Sequence, residues 1–254
     1  MNIAFISAIL PVLLLLYFIY RKDKLNPEPL GKLLLTFFVG CLCVIPAGLM
    51  ESVIMPLAPS AEDAPVFNGL FTGYAVAGFS EELCKLLLLL WVIWRSPHFD
   101  EYFDGIVYAT FLSLGFACVE NIGYVMSGND PMTTALMRGL LAVPAHFLFA
   151  VTMGYYVSLA KFDPAGRWGH LWKALLYPVL MHGTYDALLM VSSNLGGSDG
   201  GLATGVTLVL FVLFIVFDIK LWRWGLKRIK RLQERSKEQD FDRSHPFDGF
   251  SWNF

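Results

Sequence analysis

Seven stretches of this chain are apolar for long enough to cross a lipid bilayer, which limits the fold more than any other feature. They lie at 3–20, 33–55, 70–94, 105–127, 133–158, 172–193 and 202–224; about 20 residues of helix span the hydrocarbon core. Inside lipid, backbone N–H and C=O groups must be paired within the segment or its barrel, and runs of this length pair them as helices. The expected fold is therefore all-α, a polytopic membrane protein of about seven transmembrane helices. Composition agrees: 56% of the 254 residues are hydrophobic and 16% charged, whereas a soluble domain carries about 25% charged residues. This chain has too few charges to cover itself in water.

The first run, Ile3–Tyr20, has no basic residue before it and ends in Arg21-Lys22-Asp23-Lys24 rather than at a small-residue cleavage site. It reads as a retained helix, not a removed leader. The four cysteines, Cys41, Cys43, Cys84 and Cys118, all fall inside apolar runs without CxxC spacing. They read as small buried side chains.

Seven crossings send the segments 21–32, 95–104, 159–173 and everything from 220 onward to one side. Those segments hold 17 of the 19 Lys and Arg. The N-terminus and the segments 56–69, 128–132 and 194–201 fall on the other side and hold none; Lys85 and Arg138 lie inside helices. Basic loops stay in the cytoplasm, so the N-terminus is expected outside and the C-terminus inside. Residues 1–224 form the expected transmembrane domain and 225–254 a cytoplasmic tail. That tail is basic to Lys237, suiting the anionic leaflet, and its acidic, aromatic last dozen residues read as disordered. The net charge of −2 carries no signal for nucleic acid, and none is expected as a partner.

The chemistry is in residues that lipid penalises. An ionised side chain at the bilayer centre costs at least ~2.5–3.5 kcal/mol unless paired, hydrated or functional. The third run carries Glu81, Glu82 and Lys85. Residues 81 and 85 share a helix face and Glu82 is rotated about 100° away, so one carboxylate is expected on Lys85 and the other toward a cavity. The fourth carries Glu120, Asn121 and Tyr124; Arg138 in the fifth reaches a similar depth, predicting a Glu120–Arg138 pair. His146 lies in the fifth, and His182 with Asp186 one turn later in the sixth. At ~1.5 Å per residue, Glu81, Glu82, His146 and His182 all sit roughly 16–20 Å below the outer helix ends. Accidental polar residues would scatter in depth, and these converge.

Such a set suits two chemistries. Two histidines and a carboxylate with an open position make a catalytic zinc site, with His146, His182 and Glu82 as ligands and the second glutamate as base. Alternatively Glu81 or Glu82 activates water without metal while the histidines stabilise the oxyanion. No HExxH is present to decide. Two non-proteolytic readings compete: an ion-coupled transporter, disfavoured by the lack of a repeat, and a non-catalytic scaffold held by buried charges.

Taken together, Glu81-Glu82-x-x-Lys85, Phe103-Asp104-Gly105, Glu120-Asn121 with Tyr124, His146, His182 with Asp186, and Lys24-Leu25-Asn26-Pro27-Glu28-Pro29 resemble the PrsW family of bacterial intramembrane proteases. The resemblance runs from about residue 20 to residue 190. Related CAAX-processing and bacteriocin-processing proteases carry Glu-Glu-x-x-x-Arg, Phe-x-x-x-His and His-x-x-x-Asn/Asp. This chain has Lys85 three residues after Glu82, has Ala142 in place of the Phe, and keeps the third motif at His182 and Asp186. The resemblance implies a multi-pass protease of the bacterial cytoplasmic membrane that cuts a membrane-protein substrate such as a single-pass anti-sigma factor. It also implies catalytic roles for Glu81, Glu82, His146, His182 and Asp186, supported by Lys85, Glu120, Asn121 and Arg138.

Overall fold

The computed structural model describes residues 2–196 and 201–244. Among these there is no strand. The helices are α1 (Asn2–Lys22), α2 (Leu30–Ile54), α3 (Pro65–Phe71), α4 (Phe79–Ile93), α5 (Asp104–Ser127), α6 (Pro131–Leu140), α7 (Ala142–Phe162), α8 (Arg167–Gly196) and α9 (Gly201–Ser244), with a 3-10 turn at Met55–Leu57 and a π-helical segment at Thr72–Gly78 between α3 and α4. Among the described residues, six helical stretches are long and apolar enough to cross a membrane. The remaining expected span, 70–94, is the continuous helical run 65–93, which is long enough but carries Glu81, Glu82 and Lys85.

The expected fifth span is split. Pro144 has no N–H to offer the carbonyl of Leu140, and its ring crowds that carbonyl. The helix therefore breaks at Leu141, separating α6 from α7.

Helices α5 and α7 form the centre; α7 is buried along nearly its whole length and α5 from Asp104 to Ala117. The outer helices do the opposite. Leu35, Phe38, Leu42, Ile45 and Leu49, three and four residues apart on α2, all face outward, as do Leu208, Phe211 and Val212 on α9. An exposed apolar surface of this extent is stable against lipid tails, not water.

Loop contacts reproduce the grouping expected from charge. At the basic end, Gln233 donates to the Lys22 carbonyl (2.7 Å), Asn26 to Asp100 Oδ1 (3.1 Å) and Lys161 to the Trp94 carbonyl (2.8 Å). At the other end, Asn194 donates to Asn68 Oδ1 (2.9 Å) and to the Pro65 carbonyl (3.0 Å). The expected tail starts inside α9, which runs on past residue 225 as one helix of about 66 Å. Its residues 221, 225, 229, 232 and 236 share one buried face, so this part of the tail lies on the protein. The disorder expected for the last dozen residues falls mainly on 245–254, outside the described residues.

Candidate active site

The acidic pair is delivered by close backbone packing. Glycines 73 and 78 of the π-helical segment lie on Gly183 and Ala187 of α8. A Cβ on Gly73 would stand 2.7 Å from the Ala187 nitrogen and 2.9 Å from the Gly183 oxygen; one on Gly78 would stand 3.0 Å from the Gly183 nitrogen. Small residues here let two backbones touch, which brings the next turn, Ser80-Glu81-Glu82, onto His182. Those neighbours are backbone atoms that cannot swing aside. Gly73→Val is therefore expected to cost about 1–3 kcal/mol or more and to lower the unfolding temperature in detergent. Unfolding unchanged from wild type would mean that this contact does not hold α4 on α8.

From that start the network closes. Lys85 Nζ donates to Glu81 Oε2 and to Glu82 Oε1, both at 2.9 Å, and lies 3.2 Å from His146 Nδ1. The Phe116 ring sits 4.1 Å from the same ammonium. His182 Nδ1 is 2.9 Å from Glu82 Oε1, and its Nε2 is 3.1 Å from Asp186 Oδ2. Phe149 stacks on the His182 ring at 4.9 Å. His146 Nε2 is 3.0 Å from Glu120 Oε2, which also accepts from Arg138 Nη2 at 2.6 Å. Arg138 Nε donates to Asn121 Oδ1 (3.0 Å), and Asn121 Nδ2 donates to the Ala8 carbonyl (2.8 Å). Tyr124 lies under the guanidinium at 3.9 Å.

Buried charges persist only when paired and hydrogen-bonded, and this network meets that condition. With Lys85 donating to Nδ1 of His146, the Nε2–H of that ring is left to donate to Glu120. His182 faces a carboxylate from each ring nitrogen, an arrangement that an imidazolium satisfies.

A cavity of about 490 Å³ opens on this network. Glu81, Glu120, His146, His182 and Asp186 reach it, and Val44, Met137 and Leu189 contribute apolar wall. The residues singled out from sequence thus come together, and the Glu120–Arg138 and His182–Asp186 pairs are present. One expectation needs correction. Lys85 holds both acids rather than one, because it rises between them at i+4 from Glu81 and i+3 from Glu82. The two acids still differ. Glu81 lines the cavity, whereas Glu82 is fully buried and its Oε2 has no hydrogen-bond partner. Sequence reading passed over Glu51, which also lines the cavity; a lone acid near the end of the second apolar run was its only signal.

The donors suit a metal in kind and spacing: Glu81, Glu82, His146 and His182 each offer an atom, all within 4.8 Å of one another. His146, His182 and Glu82 would hold the ion, which when bound would act as a Lewis acid on a carbonyl or water, with Glu81 left free beside it. Lys85 Nζ lies 2.9 Å from Glu82 Oε1 and 3.2 Å from His146 Nδ1, so the lysine would have to withdraw for an ion to reach those atoms.

Comparison with known proteins covers most of the chain. Residues 28–217 match the family described as PrsW family intramembrane metalloprotease. The chain is 33% identical to Protease PrsW of Clostridioides difficile (strain 630), over 93% of this chain and 94% of that one. It is 35% identical to Protease PrsW of Bacillus subtilis (strain 168), over 90% and 95%, and 32% identical to Protease PrsW of Geobacillus kaustophilus (strain HTA426), over 92% and 93%. No solved structure matches.

Proposed function

The chain belongs to the PrsW family of intramembrane metalloproteases and is a membrane-embedded peptidase; from that premise we propose that Glu81 is the base that activates water in its chamber. The carrying observation is that Glu81 lines the cavity while Glu82 does not. Water attacks the scissile carbonyl carbon and gives its proton to the Glu81 carboxylate. The proton then passes to the leaving nitrogen as the C–N bond breaks. His146 and His182 line the same chamber and stabilise the oxyanion by sharing with it the Nε2–H groups that Glu120 and Asp186 hold in the resting site, and Asp186 and Glu82 orient His182. Glu120, held by Arg138 and Asn121, orients His146. Zinc is the ion that a two-histidine, carboxylate donor set most commonly takes.

The substrate is a membrane protein, and we assign it to single-pass proteins of the anti-sigma-factor type. Apolar wall residues favour an apolar peptide segment. A helix shields its own carbonyls by hydrogen bonding, so the cut falls near a helix end or where the helix has unwound. The 17 basic residues grouped at one end support a cytoplasmic C-terminus in the bacterial inner membrane.

The test reconstitutes the purified protein in liposomes with a tagged single-pass anti-sigma factor and identifies products by mass spectrometry. His146→Ala and His182→Ala are each expected to abolish a cut that wild type makes near the helix end. Undiminished cleavage in both variants would remove the proteolytic roles given to this chamber. Proton-driven solute uptake without any peptide product would favour a carrier instead.

A further inference from the structure

A second set of buried acids lies at the basic end of the bundle, away from the chamber. Asp23 and Glu28 come from the α1–α2 loop, Asp100 and Glu101 from the α4–α5 loop, and Asp104 from the first position of α5. Asp104 is common to two groups: an oxygen of Asp104 lies within 4.8 Å of one from each of Asp23 and Glu101, and an oxygen of Asp104 likewise within 4.8 Å of one from each of Glu28 and Asp100. Asp23, Glu28 and Glu101 are about 95% buried and Asp104 completely so (5%, 4%, 5% and 0% exposed).

The near oxygens are used. Asp23 Oδ2 accepts from the Glu28 N–H at 2.9 Å; Asp104 Oδ2 accepts from the N–H groups of Asp100 (3.0 Å) and Glu101 (2.7 Å). The Tyr108 hydroxyl donates to Glu28. The far oxygens are not: Asp23 Oδ1 and Asp104 Oδ1 are both buried and meet no donor. Around these five carboxyls the ion pair among the described residues is Arg243 with Asp100, at 3.6 Å and half-exposed. A loop that needed only bracing would be served by the near oxygens alone. Two further carboxyl oxygens left without a donor in a desolvated site cost free energy unless a cation meets them. Burial pushes Asp23 up to about 6, and Glu28 and Glu101 up to about 7, in keeping with acids short of countercharge.

We propose that this cluster binds a hard divalent cation of the Mg²⁺ or Ca²⁺ class, with Asp23 Oδ1 and Asp104 Oδ1 as inner ligands and Glu28, Asp100 and Glu101 completing an all-oxygen shell. No nitrogen or sulfur donor belongs to the set, which separates it from the histidine-containing chamber. The ion ties two parts of the chain together, 23–28 and 100–104. The α4–α5 loop it grips also receives α9, where Ser236 Oγ accepts from the Phe103 N–H (2.9 Å) and Gln239 donates to the Asp100 carbonyl (3.1 Å). The cation thus docks the cytoplasmic part of α9 on the membrane domain.

Terbium is the probe, because Tyr108 touches a ligand and sensitises a lanthanide bound beside it. The full chain, purified in detergent and stripped with EDTA, is titrated with Tb³⁺ under tyrosine excitation. Saturable emission is expected, displaced by Ca²⁺ or by Mg²⁺, and the ion that displaces it at lower concentration is the natural class. Asp104→Asn keeps an oxygen for the two loop N–H groups, so the loop folds; its Tb³⁺ affinity is expected to fall about tenfold or more. Glu81→Gln with Glu82→Gln, which alters only the chamber, is expected to leave the emission unchanged. Three results overturn the proposal: no saturable emission, emission that neither ion displaces, or emission lost in the chamber variant but kept in Asp104→Asn.

Discussion

Glutamine in place of Glu81 is expected to slow peptide-bond hydrolysis by about 10²–10⁴-fold, the usual worth of a general base, while the protein stays folded. The amide keeps the shape of the carboxylate and an oxygen for Lys85, which retains Glu82 as its charged partner at 2.9 Å. What is lost is the ability to take a proton from water in the cavity that Glu81 lines. Glu82→Gln makes the instructive comparison. That side chain is fully buried and reaches the chamber through His182, so its loss is expected to be smaller in rate and larger in stability. Single-turnover cleavage in proteoliposomes, with unfolding followed in detergent, separates the two. If Glu81→Gln cleaves at close to the wild-type rate while Glu82→Gln is dead, the roles assigned here are reversed.

Removing the central cation should have the opposite signature. Lys85 is completely buried and pairs with two carboxylates at once. Lys85→Met keeps the length of the side chain but takes the ammonium from both acids, leaving Glu82 with His182 alone. Breaking a buried pair in this way costs about 3–5 kcal/mol, and a marked fall in unfolding temperature is expected. Adding Glu82→Gln to Lys85→Met should recover part of the loss, because one of the stranded charges is then gone; the recovery measures the coupling. The vacated position is also where a metal would sit among Glu81, Glu82, His146 and His182. Zinc is therefore expected to raise the unfolding temperature of Lys85→Met more than that of wild type. A variant as stable as wild type would show that the ammonium is not what holds the acids together.

The contrast between these two glutamates marks the limit of what was legible. From residue identities and helix geometry, Glu81, Glu82, His146 and His182 could be placed at one depth, and their atoms do lie within 4.8 Å of each other. The Glu120–Arg138 and His182–Asp186 pairs were legible for the same reason: rise per residue and i,i+4 spacing are local properties. Lys85 bridging both acids was not, because it depends on side-chain rotamers, nor was the break at Leu141 anticipated, although Pro144 signals it. The five acids at the basic end were invisible as a group, since 70 or more residues separate Asp23 and Glu28 from Asp100, Glu101 and Asp104.

Segment length, apolarity and charge are properties each stretch carries by itself, and the bilayer reads them one stretch at a time. They were enough to establish a multi-pass helical protein, to sort its loops into a basic end and an end without Lys or Arg, and to bring the ionisable residues to a common level. Rotation of each helix about its own axis is another matter. Whether position 81 or 82 meets the cavity turns on the 100° between them, and that angle is set by Gly73 and Gly78 seating on Gly183 and Ala187, more than a hundred residues further along the chain. Contacts between such distant segments exist only once the chain has packed.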